Sequence, residues 1–326
     1  MKKIVYIIFL SFLFSFNLLS QEYKKLAQTG CQFLSVGQDA RSTSIAEALT
    51  SVDGYSTSLF YNPAGMARME NFIDLNLNHM TWIADIKYYS GSFSINPFGL
   101  KYGIIGLSFM YVDYGEFLGT RVNPNTEAGY DDIGTFKPSA LSIGLGYAIQ
   151  LSDRFSVGGQ VKYVYQELGS SLLSDLSEVT NKVDVIAFDF GTLYRTGFKS
   201  LAFGMSVRNF SKELKFQNEG FQLPLTFKLG ISMNAMDLIM PDQDLHSLLV
   251  TVDAVHNRDY PEQLNVGMEY TFNKIVSLRG GYMFNNDEHG ITGGIGLEYS
   301  GFGFDYGYTP FGVFKDVHRL TFRFKM

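Results

Sequence analysis

Cysteine, long apolar runs and excess positive charge are all scarce in this chain of 326 residues. Cys31 is the single cysteine, so no intramolecular disulfide can form. After the first twenty residues, no apolar run approaches the ~20 residues of a membrane-spanning helix. Lys and Arg number 26 against 32 Asp and Glu, and this acidic balance argues against a nucleic-acid partner. The sequence therefore excludes a disulfide-stapled scaffold and a bundle of membrane helices.

The N-terminus has the three regions of a secretory signal peptide. Lys2 and Lys3 precede an apolar run over residues 4–16, which is followed by the small residue Ser20. We expect export and cleavage near Ser20; the alternative, an uncleaved anchor, needs a longer run. Cleavage removes two lysines and no acidic residue, so the net charge of −6 becomes −8. Because charged residues separate Cys31 from the run, we expect a packed or free thiol and not a lipid-bearing one.

Aromatic residues and glycine are abundant, with 29 Phe, 20 Tyr and 33 Gly, and they fall in alternating segments. In ALSIGLGYAIQL every second residue from Leu141 to Ile149 is apolar, and the residues between them are small or polar. An exported chain of this kind is either a soluble β-sandwich or an outer-membrane barrel. About fourteen segments of about ten residues favour a transmembrane antiparallel β-barrel, an all-β fold. The segments lie near 72–80, 86–95, 101–113, 137–151, 154–168, 183–195, 201–209, 225–236, 246–256, 262–272, 275–284, 291–299, 301–309 and 316–325.

The connections between segments support the barrel. Even-numbered connections are mostly short, whereas the odd-numbered ones include loops at 114–136, 169–182 and 210–224. Short turns on one rim and long loops on the other are typical of outer-membrane barrels, with the long loops facing outside. The connection 237–245 falls on the short side but is longer than its neighbours.

One turn predicts a charged pair inside the barrel. Alternation around Asn273 and Lys274 places Glu269 opposite Arg279, with both side chains facing inward. Such a pair is either a structural rung of the lumen or a contact for a ligand.

Residues 21–71, ahead of the barrel at 72–326, do not alternate. GQDARSTSIAEALTSV predicts a short helix, with Ile45, Ala48, Leu49 and Val52 on one side. Asn62-Pro63-Ala64-Gly65 then predicts a turn, in which Pro63 fixes a bend and Gly65 permits a backbone angle that other residues avoid. A lumen of about fourteen strands is too wide for wall side chains to fill, so we expect this segment to form a plug. A flexible periplasmic tail is the alternative, although Leu, Phe and Tyr are not typical of disorder.

The N-terminal motifs resemble a known family. Gly37-Gln38-Asp39-Ala40-Arg41 and Tyr61-Asn62-Pro63-Ala64-Gly65-Met66-Ala67, followed by RFSVGGQVKYVY, AFDFGTLYRTGF and GMSVRNF, resemble the PorV/PorQ family of outer-membrane proteins. That family is similar to the fatty-acid channel FadL, a barrel of fourteen strands with an N-terminal hatch. The resemblance implies that Asn62, Pro63 and Ala64 belong to this hatch. It also implies a role in type IX secretion, in which some members bind the C-terminal domains of cargo and deliver them from the translocon.

A secretion-associated barrel would hold protein partners with its long loops. GSSLLSDLSEVTN in the second long loop predicts an amphipathic helix with Leu172, Leu173 and Leu176 on its apolar side. This helix could bind a partner or simply cap the barrel.

The alternative function is passive transport of a hydrophobic compound, as the likeness to FadL implies. Fatty acid, another apolar ligand or detergent would then occupy the lumen. Phe117, Leu118, Phe210 and Phe221 are the predicted outer-loop contacts, although exposed loop aromatics are also typical of the girdle at the membrane interface.

An enzyme finds little support in the sequence. The five histidines lack metal-ligand spacing, and no Gly-x-Ser-x-Gly elbow occurs. Asp242 and Asp244 could bind a cation but have no further ligand pattern, so they fit a solvated turn better. We expect no catalytic residue, cofactor or metal; the expected surroundings are outer-membrane lipid.

Overall fold

The computed structural model describes residues 29–172, 177–216, 219–239, 245–286, 290–314 and 316–326. The predicted signal peptide, together with Leu173, Leu176, Asp242 and Asp244, lies outside the described residues.

Fourteen antiparallel strands close into one barrel, which confirms the predicted fold class and strand number. In chain order they are β1 (Ile73–Thr81), β2 (Lys87–Ile95), β3 (Ile104–Asp113), β4 (Ser139–Gln150), β5 (Phe155–Leu172), β6 (Glu178–Arg195), β7 (Ala202–Ser211), β8 (Thr226–Asn234), β9 (His246–Asn257), β10 (Gln263–Phe272), β11 (Val276–Phe284), β12 (Ile291–Tyr299), β13 (Phe302–Thr309) and β14 (Val317–Lys325).

The sheet closes where β1 pairs with β14. Their register runs from Asp74 opposite Lys325 to Thr81 opposite His318, so the first and last strands leave no free edge. Closure is required because lipid offers no hydrogen-bond partner to an exposed backbone. No helix among the described residues has the length and apolar character needed to cross a membrane.

Side chains alternate between the two faces of the wall. β3 is buried and exposed at successive positions, and Ile105, Leu107 and Phe109 point outward with 41–48 % of their surface exposed. The inward positions of β13 are Gly303, Asp305 and other small or polar residues. The outer face is therefore an apolar surface for lipid, and the inner face is polar.

The two rims differ as predicted. We call the rim with short connections, such as that between β10 and β11, the turn rim, and the opposite one the loop rim. The connection after β3 carries a hairpin of Phe117–Val122 and Tyr130–Phe136, which we call the loop hairpin. Further short strands lie at Pro97–Leu100, Leu214–Lys215 and Gly220–Phe221, and helix α2 (Met236–Ile239) follows β8.

The predicted helix in the second long loop is wrong where the structure describes it. β5 continues to Leu172 and β6 begins at Glu178, and these two residues are cross-strand partners. Pairing along both strands satisfies the backbone groups that a helix would otherwise satisfy. The described parts of this connection are therefore paired strands, with a bulge between Glu167 and Ser170.

Residues 29–71, which we call the plug, lie inside the barrel. The plug contains α1 (Ala40–Ser44) and 3-10 helices at Gln32–Ser35, Ser56–Phe60 and Pro63–Arg68. Asp39 caps α1 by accepting a hydrogen bond from Ser42 N at 2.9 Å.

The predicted helical side of Ile45, Ala48, Leu49 and Val52 is wrong. The α-helix ends at Ser44, because Ala46 and Glu47 have φ values of 57° and 55°, in the left-handed region. Ile45, Ala48 and Leu49 are buried all the same, in turns that follow the helix.

The outer face gives the first testable prediction. Leu145 in the middle of β4 is 58 % exposed, so Leu145→Arg places a charge in lipid and lowers the free energy of unfolding by about 2–4 kcal/mol. Leu118→Arg, on the loop hairpin at 77 % exposure, is the control and changes it little. Urea unfolding in lipid vesicles measures both; equal effects would contradict the membrane assignment of this face.

Candidate functional site

The Asn-Pro-Ala-Gly motif forms the N-terminus of the Pro63–Arg68 helix, which packs against the inner face of the barrel. Asn62 is fully buried and caps the Pro63–Arg68 helix, its Oδ1 accepting from Ala64 N at 3.1 Å. Its Nδ2 donates to the carbonyls of Thr50 in the plug (2.6 Å) and Thr192 in β6 (3.0 Å). One side chain therefore joins two parts of the plug to the barrel.

Gly65 is needed for space and not for its backbone angle. It lies within the 3-10 helix, and its φ is not in the positive range, so the predicted special angle is wrong. A Cβ at Gly65 would lie 2.6 Å from Ser58 Oγ and 2.8 Å from the Val52 carbonyl oxygen. Pro63 stands at the first helical turn, where its missing N–H leaves no bond unmade.

Glycines on the inner face of the wall meet the plug. At Gly158 a Cβ would lie 2.5 Å from the Pro63 carbonyl carbon, and at Gly281 it would lie 2.5 Å from Ala46 N. Contacts this short exclude any larger residue unless the plug shifts. The glycines that meet plug atoms in this way are Gly106, Gly146, Gly158, Gly191, Gly204, Gly230, Gly267, Gly281, Gly294 and Gly307, one each on β3 to β8 and β10 to β13.

Glu269 and Arg279 are cross-strand partners inside the lumen. Arg279 Nε donates to Glu269 Oε2 at 2.5 Å, and both residues are buried. Arg41 of α1 donates to both oxygens of the same carboxylate, at 2.7 and 2.8 Å. The carboxylate is thus held by one cation of the wall and one of the plug.

The pair is part of a longer ladder of alternating charge. Arg279 also donates to Asp305 at 2.7 Å, and Asp305 in turn accepts from Arg323. Arg323 then reaches Glu298 at 2.7 Å, which pairs with Lys325 at 3.0 Å. Each charge has neighbours of opposite sign, so the burial of the ladder is compensated.

The contact of Arg41 with Glu269 could not be predicted from the alternating sequence pattern, because Arg41 lies outside the strands. Its guanidinium stacks over Tyr55 with Cζ 4.1 Å from the ring centroid. Although burial alone would lower it, the pKa of Arg41 is raised above its ordinary value by Glu269. The Arg41 side chain is therefore a permanent cation within the plug.

A cavity of about 600 Å³ opens between the plug and the loop rim. Gln32, residues 34–37 and Glu47 of the plug line one side, and Trp82, Tyr260 and Asn285 from loop-rim connections line the other. Arg208, Lys228 and Arg319 project into it from β7, β8 and β14.

Each of these wall cations contacts a plug carbonyl. Arg319 Nε donates to the Gly37 carbonyl at 3.3 Å, and Lys228 Nζ donates to the Glu47 carbonyl at 3.3 Å. Arg208 Nη2 lies 3.4 Å from the Leu34 carbonyl oxygen. Burial raises the pKa of Tyr61, against which Arg208 and Lys228 pack, so this ring stays neutral beside the two cations.

The predicted loop contacts do not form one surface. Phe117 stacks on Phe136 at 5.8 Å in the loop hairpin, and Leu118 beside it is 77 % exposed. Phe210 is on the outer face of β7 and not in a loop, and Phe221 stacks on Phe216 close to Gly30 of the plug. Leu172 lies at the end of β5, whereas Leu173 is outside the described residues.

The described part of the chain contains neither a reactive thiol nor a metal-binding cluster. Burial raises the pKa of the free Cys31 thiol to about 12, so it remains protonated and unreactive. Among the residues described, no group of three His, Cys, Asp or Glu side chains could hold a metal ion.

The barrel sequence identifies the family. A family model described as type IX secretion system membrane protein PorP/SprF matches residues 128–324, more than half of the chain. The chain belongs to the PorP/SprF family. The match covers β4 to β14, including the barrel segments that resemble PorV/PorQ, and leaves out the plug with its N-terminal motifs. As a PorP/SprF family member the chain is an outer-membrane protein of the type IX secretion class.

Solved structures share the fold of this PorP/SprF family member. The CymD monoaromatic hydrocarbon channel is 13 % identical over 89 % of this chain and 98 % of the channel, with a TM-score of 0.58. The Pseudomonas putida toluene transporter TodX is 13 % identical over 88 % and 96 %, with a TM-score of 0.57. A Pseudomonas aeruginosa FadL homologue is 13 % identical over 89 % and 98 %, with a TM-score of 0.53. At these identities the likeness establishes a FadL-like fold alone, and no curated protein gave a significant match.

The glycine contacts of this PorP/SprF barrel give a second prediction. Gly281→Val forces a side chain against Ala46 and Ile45, which we expect to cost about 1–3 kcal/mol and to loosen the plug. Gly280→Val, at the next position on the opposite face, meets only the Thr292 carbonyl at 4.0 Å and is the matched control. Hydrogen exchange of the residue 40–50 amides should accelerate in Gly281→Val alone. Equal exchange in both variants would show that the plug does not depend on this contact.

The charge ladder of this family member gives a third prediction. Glu269→Gln leaves Arg41 and Arg279 without their shared carboxylate, and we expect unfolding in lipid vesicles to need about 3–5 kcal/mol less. Glu298→Gln at the half-exposed end of the ladder should cost less than about 1 kcal/mol, because Arg323 keeps Asp305. Urea midpoints followed by tryptophan fluorescence compare the two variants. A larger loss in Glu298→Gln would contradict the central place of Glu269.

Proposed function

We propose that this protein is a non-enzymatic outer-membrane component of type IX secretion that binds exported cargo. The match of residues 128–324 to the PorP/SprF family is the observation that carries the proposal. The resemblance of the plug motifs to PorV/PorQ adds the finer role, which is to receive the C-terminal domains of cargo from the translocon and deliver them. The N-terminal signal peptide directs the chain to export, with cleavage near Ser20.

The loop hairpin is the surface that fits a protein partner in this proposal. Leu118 and Val122 are 77 % and 83 % exposed and, four positions apart on one strand, share a face. Ile133 on the second strand is 60 % exposed, and Lys137 pairs with Glu116 at 2.6 Å near the hairpin base. Exposed apolar side chains bounded by charged ones are typical of protein interaction surfaces.

Passive transport of a hydrophobic molecule is the second candidate function. The cavity of about 600 Å³ beneath the loop rim has the size of a small-molecule site. The plug, however, fills the barrel below that cavity, so passage needs the plug to move or the wall to open.

Purification from the native outer membrane distinguishes the two functions. For the secretion role we expect a large translocon and the C-terminal domains of cargo to co-purify, and deletion of the gene to leave cargo unsecreted. A lone barrel loaded with fatty acid or another apolar molecule would favour transport instead. Unchanged secretion and surface attachment in the deletion strain would refute the secretion role.

A hairpin variant locates the contact. Leu118→Ser combined with Val122→Ser should reduce the cargo that co-purifies several-fold, because apolar contact area is lost. Leu238→Ser combined with Ile239→Ser is the matched control, since this exposed apolar pair lies in α2 on the turn rim. Equal cargo with both double variants would place the contact elsewhere.

A further inference from the structure

We propose that the loop hairpin binds its protein partner by strand addition, in which an extended basic segment of the partner pairs with the free edge of the second hairpin strand, Tyr130–Phe136. The inference rests on the proposed function, since the partner is the exported cargo. It adds the conformation and the charge of the cargo segment that the hairpin selects.

Both strands of the loop hairpin have a free edge. They pair with each other from Phe117 opposite Phe136 to Val122 opposite Tyr130, and with no other strand that the structure describes. A free edge presents backbone N–H and C=O groups that have no strand partner, which makes it a template for another strand. A hairpin of only two strands is marginally stable in water, so a third strand would stabilise it.

One face of the hairpin combines apolar contact area with a carboxylate. Leu118 and Val122 share this face with Tyr130 and Asp132, because Val122 is opposite Tyr130 and Thr120 is opposite Asp132. Tyr130 is 48 % exposed, and the two aliphatic side chains are exposed still further. A strand added beside Tyr130–Phe136 would extend this face with every second side chain.

The hairpin has acidic side chains in excess of its cations. Lys137 pairs with Glu116 at 2.6 Å, and Arg121 lies 4.0 Å from Asp131 on the other face. Asp132 is exposed and has no ion pair within the described residues. The hairpin therefore presents a carboxylate whose counter-charge a partner can supply.

The barrel strands beside the hairpin do not supply that counter-charge. At the loop rim, Lys87 of β2 is opposite Asp113 of β3, and Lys182 of β6 is opposite Glu167 of β5. Each of these cations thus has a carboxylate of its own across the strand pair. Glu127 is exposed at the hairpin tip and adds a further negative charge.

The second strand is the edge that fits a basic segment. It carries Asp131 and Asp132, whereas the one charged residue of the first strand is Arg121. Opposite charges on directly opposed residues of neighbouring strands are stabilising, and like charges are destabilising. Lysines at alternate positions of an added strand would contact Asp132 and the Tyr130 ring together, since these two lie on one face.

Short peptides test the inference without the natural cargo. The full mature chain in phosphatidylcholine nanodiscs is titrated against a dye-labelled peptide of alternating valine and lysine, as long as the second strand, and fluorescence anisotropy is followed. We expect saturable binding of this peptide and at least about tenfold weaker binding of its valine and glutamate counterpart. A lysine peptide with prolines in place of its central valines keeps the charge but loses backbone donors, so it should bind weakly as well.

A charge reversal tests the contact with Asp132. Asp132→Lys should reverse the preference, so that the peptide with glutamate becomes the tighter ligand. The exposed carboxylate has no ion pair in the described chain to lose, so we expect the variant to fold. Glu213→Lys makes the same change of charge at an exposed position between β7 and β8 and is the matched control. It should leave the preference as it is in the unmodified chain.

Three results would overturn strand addition at this edge. Equal affinity of the lysine and glutamate peptides for the unmodified chain would remove the charge selection. An unchanged preference in Asp132→Lys, or the same reversal in Glu213→Lys, would place the contact elsewhere. Undiminished binding of the proline peptide would show that the backbone takes no part.

Failure of this inference and failure of the secretion role give different results. Cargo that co-purifies with the unmodified chain and is lost in the Leu118→Ser and Val122→Ser double variant, without peptide binding, would leave the cargo contact standing and strand addition wrong. Peptide binding as expected with no cargo in the purified material would support strand addition and refute the secretion role.

Discussion

Closure of the sheet is the constraint on which the rest of the molecule depends. Hydrocarbon offers no partner to a backbone N–H or C=O, so an open sheet edge has no place there. The pairing of β1 with β14 removes both edges, although the two strands stand at opposite ends of the barrel sequence. Closing fourteen strands leaves a lumen that wall side chains alone fill poorly. The plug and its contacts follow from that empty space.

The wall and the plug meet through two kinds of contact with different requirements. The ladder from Arg41 to Lys325 needs side chains of alternating sign, and the loss of a buried member such as Glu269 leaves buried neighbours uncompensated. The glycine contacts need only the absence of a side chain, and they let the plug backbone approach strands on most of the circumference. Near the loop rim, Arg319 and Lys228 of the wall also hold plug carbonyls, and Lys228 lies 3.9 Å from the Glu47 carboxylate.

The alternation of apolar and polar residues made the barrel predictable from sequence, because about fourteen segments with a period of two are compatible with few other folds. It also made the pairing of Glu269 with Arg279 derivable, because a short turn fixes the register of the strands beside it. The partnership of Glu269 with Arg41 was not derivable, because their contact joins a non-repeating segment to a strand 228 residues away. The helical side predicted for Ile45 to Val52 failed where left-handed residues stop the helix, and the helix predicted after Gly169 failed because strand pairing continues there. Local periodicity describes the wall well and the contents of the lumen poorly.

The glycine contacts constrain the barrel residues more strongly than the plug residues that they touch. Gly204 faces the Thr50 carbonyl, Gly267 faces the Ile45 carbonyl and Gly281 faces Ala46 N, so the wall touches backbone atoms that nearly every residue type supplies. A change of side chain at those plug positions leaves the touching atoms in place, whereas any side chain added at the glycine removes the room for them. Selection for a seated plug therefore acts on residues of the barrel that themselves have no side chain.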